Sequence, residues 1–353
     1  MAISTFALLV MNTSDVYILG IESSCDDTSA GVTCNSIVLS NIIAGQRVHE
    51  AYGGVVPELA SRAHQQNIIP VVNEALLHAK IRKEQLSAVA FTRGPGLMGS
   101  LLVGTSFAKS FALALGIPII EVNHMQAHVI ANFASRPGDE QFTAPSFPFL
   151  CLTVSGGHTQ IVKVMSHAQM TVIGQTTDDA AGEAFDKAAK LLGLPYPGGP
   201  LIDQHAKTGN AHAFKFPHPD VPNLNYSFSG LKTAFLYFLR KETSQNPDFI
   251  KEHLHDICAS YQYTIVQVLL EKLQVAVEQT GINTVAIAGG VSANSYLRSA
   301  MKQMSNDKHW KLFIPKFEYC TDNAAMIALS GYYKFLVKNF ATQDIAPIAR
   351  YPF

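Results

Sequence analysis

Val16-Tyr17-Ile18-Leu19-Gly20-Ile21-Glu22-Ser23-Ser24-Cys25-Asp26-Asp27-Thr28-Ser29-Ala30-Gly31-Val32 is the stretch whose reading decides the fold. The apolar run Val16 to Ile21 breaks into a polar turn at Glu22 to Ser29 and resumes at Ala30, the pattern of a strand, a tight polar loop and a return strand. A second unit of the same design opens at Phe149. There Leu150 to Val154 reads as a strand, Ser155-Gly156-Gly157-His158-Thr159 as the loop and Ile161 to Val164 as the return. Between the two units, Ser135 to Phe149 holds three prolines and one glycine with little periodicity, which marks a linker. Two hairpins with polar tips, each opening one half of the chain, imply a duplicated architecture.

Outward from these hairpins, three segments join a strand to a helix. Leu86 to Thr92 is a predicted strand, Gly94-Pro95-Gly96 a turn, and Leu97 to Leu115 a helix stopped by Gly116 and Pro118. Thr284 to Ala288 leads through Gly289-Gly290 to a helix from Ser292, and Leu312 to Pro315 leads through the polar Glu318 to Asn323 to a long apolar helix from Ala324. Alternating strands and helices are the α/β signature, and ligands in such folds sit at the strand ends.

The chain of 353 residues is 48% apolar, enough for a substantial core and more consistent with two domains than with one. Its 26 basic and 27 acidic residues nearly cancel, so any RNA contact must come from a local patch or a partner subunit. The cysteines Cys25, Cys34, Cys151, Cys258 and Cys320 are scattered without a C-x-x-C spacing, which argues against a disulfide framework or a cysteine zinc site and fits a reducing cytosol. No apolar run approaches the roughly 18 residues that span a bilayer. Residues 1–16 read as an N-terminal extension: Phe6 to Met11 is apolar, but the absence of Lys and Arg argues against a secretory signal or a mitochondrial transit peptide, and Met11 is an alternative start.

The sharpest chemical signal is His124-Met125-Gln126-Ala127-His128, after the predicted strand Ile117 to Val122 and with Asn123 suited to cap a helix. Histidines at i and i+4 share one helix face and can reach one ion, with a carboxylate from elsewhere as the usual third ligand; a plain pair of surface or core histidines is the alternative. The motif opens a helix at a strand end, which places it outside the core. A zinc protease of the H-E-x-x-H type needs Glu directly after the first histidine, where Met125 stands.

The loops Ser155 to Thr159 and Gly289 to Asn294, with Gly94-Pro95-Gly96, let backbone N–H groups approach an anion or nucleotide without Cβ obstruction. None matches a P-loop or a dinucleotide fingerprint. The segment from Asp178 through Glu183 and Asp186 to Gly199 and Asp203 places carboxylates near a glycine turn, suited to ribose hydroxyls or proton transfer; helix N-terminal acids complementing the dipole are the equal alternative.

Taken in order, these motifs resemble the TsaD family of bacterial threonylcarbamoyl transferases, earlier described as O-sialoglycoprotein endopeptidases. The resemblance runs from Tyr17 to about Val337 through Gly20 to Ser29, Tyr52 to Arg62, Gly94 to Leu97, the histidine pair, Val154 to His158, Asp178 to Asp203, Ser227 to Thr233, Gly289 to Asn294 and Cys320 to Met326. It implies an actin, sugar-kinase and Hsp70-like α/β fold of two ribonuclease-H-like lobes. The first lobe would cover residues 17–145, with a C-terminal helix at about 323–345 packing back on it, and the second residues 146–322. By motif position it places metal ligands on His124, His128 and Asp322. Threonylcarbamoyl-adenylate contacts fall on Val154, Ser155, Gly156, Gly157, His158, Asp186, Gly199, Asp203 and Asn294, and an acidic residue needed for activity on Glu22. The family motif often carries Glu at Gln126, and many members have Asp at Ala63.

The reaction so implied moves a threonylcarbamoyl group from threonylcarbamoyl-AMP to N6 of adenosine 37 in tRNAs that read codons starting with adenine. Its cofactor would be one divalent ion, Fe2+ by resemblance, with Zn2+ the alternative. Its partners would be tRNA, a TsaB-like heterodimer partner and a TsaE-like ATPase, in the cytoplasm and without a membrane. Glu22, Asp186 and His158 are the candidates for removing the N6 proton. A kinase or Hsp70-like ATPase on the same fold would leave the histidine pair idle, and a silent scaffold paralogue would be expected to lose the triad.

Overall fold

Two five-stranded sheets of the same plan make up the computed structural model, which describes residues 15–219 and 221–353. The sequence-predicted extension therefore lies, for residues 1–14, outside the described residues. In the first half, β1 (Tyr17–Glu22), β2 (Thr28–Cys34) and β3 (Ile37–Ala44) form an antiparallel meander. Helix α1 (Pro57–Ala79) leads to β4 (Ala88–Gly94), parallel to β1, and α2 (Met98–Leu115) leads to β5 (Ile119–Asn123), parallel to β4. The short α3 (His124–Ile130) follows directly.

The second half repeats the scheme. The meander is β6 (Phe149–Val154), β7 (Thr159–Val164) and β8 (Met170–Gln175). Then come α4 (Ala181–Leu191), α5 (Gly198–Ala206), α6 (Ser229–Gln245) and α7 (Phe249–Thr280). Strand β9 (Thr284–Ala288) runs parallel to β6, α8 (Ser295–Asp307) follows, and β10 (Lys311–Phe313) runs parallel to β9. Helix α9 (Ala324–Leu336) packs back on β1, β2 and β4. Two antiparallel meanders, each extended by two parallel strands, are two ribonuclease-H-like lobes.

The central strands are apolar on both faces because both are covered. Alternation sends Leu19 and Ile21 toward α1 and α2, while Ile18 joins the core beneath α9. Gly20 shares that second face, and a Cβ there would meet the Ala324 carbonyl at 2.4 Å, so glycine permits the close approach of α9. In the second lobe Leu150, Leu152 and Val154 face the cluster that includes Phe185, Phe235 and Tyr261. Phe149 and Cys151 face the other way, into a core that also takes in Ile18, Ile120, Val129 and Met326. That shared core lies between the lobes, and α3 and α9 fill it.

Three readings are corrected. Helix α8 starts at Ser295 and not at Ser292, because Gly290–Ala293 forms a separate 3-10 turn and Asn294 caps the helix through the Leu297 amide. Helix α9 ends at Leu336, short of 345; Lys338 is left-handed at φ 53°, and the chain then runs along the first lobe, with the Ala341 amide donating to Ile119 and Ile348 to Arg93. Helix α2 is, among the described residues, long and apolar enough by length and composition to cross a membrane, against the expectation of no such run. It lies against α1 and β4, burying Leu101, Gly104, Ala108 and Ala112.

Candidate active site

Asn123 ends β5 and accepts from the amides of Met125 at 2.9 Å and Gln126 at 3.2 Å, which starts α3 where His124 stands. Asn323 caps α9 in the same way through the Met326 amide at 3.0 Å and fixes the residue before it, Asp322. The two capped helix starts bring three side chains together. His124 Nε2 and His128 Nε2 are 3.1 Å apart, and Asp322 Oδ1 lies 3.3 Å from each. Donors placed about 2.0–2.2 Å from a tetrahedral ion would stand roughly 3.3–3.6 Å from one another, so two imidazoles and a carboxylate at this spacing fit a divalent cation.

The electrostatics ask for positive charge at the same point. Burial works against an imidazolium at His124, yet the carboxylates of Glu22 and Asp322 outweigh it and raise the ring well above its ordinary value. Burial likewise works against the Asp322 carboxylate, and the two histidines outweigh it and hold it well below the usual range. His128 is lowered by burial, and its Nδ1 is buried with no hydrogen-bond partner among the described residues.

Glu22 stands behind this centre. It has no exposed surface; Oε1 accepts from the Ser24 amide at 2.5 Å, while Oε2 accepts from the Thr92 hydroxyl at 2.5 Å and faces His124 Nδ1 at 3.0 Å. A carboxylate on Nδ1 leaves Nε2 free for an ion, the usual outer support of a ligating histidine. At the hairpin tip Asp27 is pushed up to about 7 by burial and by the carboxylates of Asp322, Asp26 and Glu22. The expectation that the histidine motif lies outside the core is corrected: His124 is 7% exposed and His128 0%, because α3 is wedged between the lobes. Met125 is buried too, and its thioether offers no base beside the triad.

A cleft of about 340 Å³ opens next to the triad, and Thr321, the neighbour of Asp322, lines it. Gly156, Asp186, Gly199, Asp203 and Asn294, from four separate parts of the second lobe, line the same cleft. Asp186 Oδ1 accepts from the amides of Gly198 at 2.9 Å and Gly199 at 3.1 Å and so holds the start of α5. Burial nevertheless raises its pKa against those two donors. Asp203 accepts from the Ser295 hydroxyl at 2.8 Å, and Asn294 donates to Gln262 at 2.6 Å.

Ser155, Gly157 and His158 shape the loop that presents Gly156 without lining the cleft: the Ser155 amide donates to the His158 carbonyl at 2.8 Å and the His158 amide to Ser155 Oγ at 3.2 Å. Val154 is buried at the strand end below them. Burial, then the nearby His124 and His128, bring the His158 ring down to about 4, so it is neutral at pH 7. The apolar wall of Phe185, Pro197, Pro200 and Val291 was not singled out from the sequence. All four fall inside quoted motifs but carry no reactive atom to mark them. Gln262, in the middle of α7, has no local signal at all.

The family described as tRNA N6-adenosine threonylcarbamoyltransferase, TsaD, matches residues 37–329. A tRNA N6-adenosine threonylcarbamoyltransferase of Christiangramia forsetii is 62% identical over 343 residues, covering 97% of this chain and 100% of that protein. One of Cytophaga hutchinsonii is 61% identical over 335 residues, covering 95% and 96%. Among solved structures, full-length HypF in its phosphate- and nucleotide-bound form superposes with TM-score 0.58 at 14% identity, over 93% of this chain and 47% of that one. Component A of the (R)-2-hydroxyglutaryl-CoA dehydratase of Acidaminococcus fermentans superposes with TM-score 0.52 at 13% identity, over 90% and 98%. At such identities these two speak for the fold alone, the two-lobed actin-like α/β class. The extent and identity of the sequence matches establish that the chain belongs to the TsaD family of tRNA N6-adenosine threonylcarbamoyltransferases.

Proposed function

We propose that this chain transfers the threonylcarbamoyl group from threonylcarbamoyl-AMP to N6 of adenosine 37 in tRNAs reading codons that start with adenine. The observation that carries the reading is the continuity of cleft and triad, joined at Thr321 and Asp322. The wall of Phe185, Pro197, Pro200 and Val291 suits a purine ring, and the carboxylates of Asp186 and Asp203 suit ribose hydroxyls. The Gly156 and Gly290 backbones offer approach to the phosphate and acyl end without side-chain obstruction.

His124, His128 and Asp322 would hold the divalent ion, Fe2+ by family kinship, with Zn2+ suited to the same donors; when bound, it supplies Lewis-acid polarisation at the threonylcarbamoyl end. Glu22 keeps His124 in the tautomer that leaves Nε2 free. The acceptor amine is a weak nucleophile and the acyl carbon is already activated by AMP as leaving group, so the chain's main contribution is to align the two substrates and exclude water. Glu22 is committed on both oxygens, and His158 stands outside the cleft lining with its ring brought down to about 4, which leaves Asp186 as the better candidate to take the N6 proton.

The partners in this reading are tRNA, a TsaB-like heterodimer subunit and a TsaE-like ATPase, in the cytoplasm. Ile69 and Leu77 on α1 and Leu102 and Leu113 on α2 are exposed and offer a fold-related partner an apolar helix face. The test supplies the Fe2+-loaded protein and both partners with threonylcarbamoyl-AMP and tRNA. Modified adenosine should form in step with AMP release, and His124→Ala should abolish both. Sugar phosphorylation or peptide cleavage by the same preparation, without tRNA modification, would overturn the reading.

A further inference from the structure

One guanidinium ties the turn that lines the cleft to the chain segment that leads to Asp322. Arg298 stands in the first turn of α8, just past the cap Asn294. Its Nε donates to the Ser292 carbonyl at 2.7 Å, inside the turn Gly290–Ala293 whose Val291 and Ala293 line the cleft. Its Nη2 donates to a second segment, to the Pro315 carbonyl at 2.8 Å and to Cys320 Sγ at 3.0 Å, in the stretch that delivers Thr321 and Asp322. The Phe317 ring lies over it, 3.8 Å from Cζ to the ring centre, and restrains the plane of the fork. The ladder between β9 and β10 ends at Ala286 and Phe313, and beyond that point the guanidinium bridges the two chain segments. On its far side the same segment is fastened to the inter-lobe linker, by Arg136 to Glu318 and the Tyr319 hydroxyl and by Lys316 to Asp139. The stretch from Pro315 to Cys320 is therefore held as one body, with Asp322 two residues beyond it.

We propose that Arg298 is a positioning residue that couples the two halves of the site, so that a nucleotide in the cleft and a metal at His124, His128 and Asp322 each strengthen the binding of the other. The inference rests on the adenylate reading of the cleft. A nucleotide that settles the turn Gly290–Ala293 fixes the Ser292 carbonyl, and the rigid fork passes that constraint to the Asp322 segment. By linkage the metal acts back on the nucleotide by the same factor. A planar fork holds its Nε and Nη2 donors at fixed angles to one another and so ties the two segments in one geometry, which the freely rotating donors of a lysine ammonium do not.

The test titrates the full-length protein calorimetrically with AMP, metal-stripped and loaded with Zn2+, and measures Zn2+ affinity by competition with and without AMP. In the wild type AMP should bind at least about 5-fold more tightly to the loaded protein, with the same factor for Zn2+ when AMP is present. In Arg298→Met the factor should fall toward one. A merely structural arginine would weaken both ligands and leave the factor unchanged. Should Arg298→Met fail to fold, Arg298→Lys decides: a reduced factor supports the coupling role, and an undiminished factor overturns it. A full wild-type factor in Arg298→Met, as direct contact between the two ligands would give, likewise overturns it. AMP binding to the wild type with a factor of one defeats this inference alone, whereas no AMP binding in either state defeats the adenylate reading and the inference together.

Discussion

Both carboxylate oxygens of Glu22 are spent on the Ser24 amide, the Thr92 hydroxyl and the His124 ring, with no surface left for a substrate. Glu22→Gln should therefore keep the triad but lower metal affinity by about 10–100-fold, the usual cost of losing such a support, while Asp322→Ala should lose the ion outright. Competition with a chelating dye reads both, and an unchanged affinity in Glu22→Gln would remove the supporting role. His158 makes a pH prediction for the metal-free protein. Its folded value near 4 lies below the ordinary 6.5, so between those two values the unfolded chain binds a proton that the folded chain refuses. The stability it contributes is complete above about pH 6.5 and is lost as pH falls toward 4. Urea midpoints at pH 7.5 and pH 5 should accordingly fall further in the wild type than in His158→Gln. At this scale the pair His124 and His128 was legible from spacing and from the Asn123 cap, because both signals are local. Asp322 was reached only through family resemblance, since nothing near it in sequence says that α9 returns to the first lobe. Arg298 was invisible for the same reason, as every group it touches through its side chain is outside its own helix.

Helix α4 begins against the loop that presents Gly156, and Gly182 is the point of contact. A Cβ there would stand 2.4 Å from the Ser155 carbonyl oxygen and 2.8 Å from Gly156 Cα, both backbone atoms that cannot swing aside. Gly182→Ala must displace the loop, at an overpacking cost of about 1–3 kcal/mol. Carried by the binding step, that cost means AMP binding weaker by about 5- to 150-fold, which titration would read against an unchanged circular dichroism spectrum. Undiminished affinity would mean that this loop does not carry the nucleotide. Most element positions were legible because turns follow the strands at Thr92, Val154 and Ala288, and the strands themselves are continuous apolar runs. Element ends were less so. No glycine or proline falls between Val337 and Ala346, so the sequence offers no stop for α9. It ends at Leu336 as the following chain is drawn off to bond β5 and β4, a tertiary contact with no local signature.

Helix α3 carries the two histidines, Asp322 stands just before α9, and both helices pack the core between the lobes along their lengths. Ala127, Val129 and Ile130 of α3 and Ala325 to Leu329 of α9 share one apolar cluster with Ile18 and Ile120 from the first sheet and Phe149, Val162 and Ala286 from the second. Separating the lobes would expose that cluster and pull Asp322 away from the histidines in the same motion. The lobes should therefore melt together, and the ion should stabilise the whole molecule instead of one half. An ion that binds only the folded state at about 100 times its Kd adds roughly 2.7 kcal/mol, enough to raise the melting temperature by a few degrees. Scanning calorimetry of the metal-stripped and Zn2+-loaded protein should show a single transition in each case, shifted upward by the ion. In His124→Ala, which lacks a ligand, the transition should stay single and the shift should shrink or vanish. Two separate transitions, of which the ion moves only one, would show that the lobes fold independently and that the shared core does not bind them into one unit.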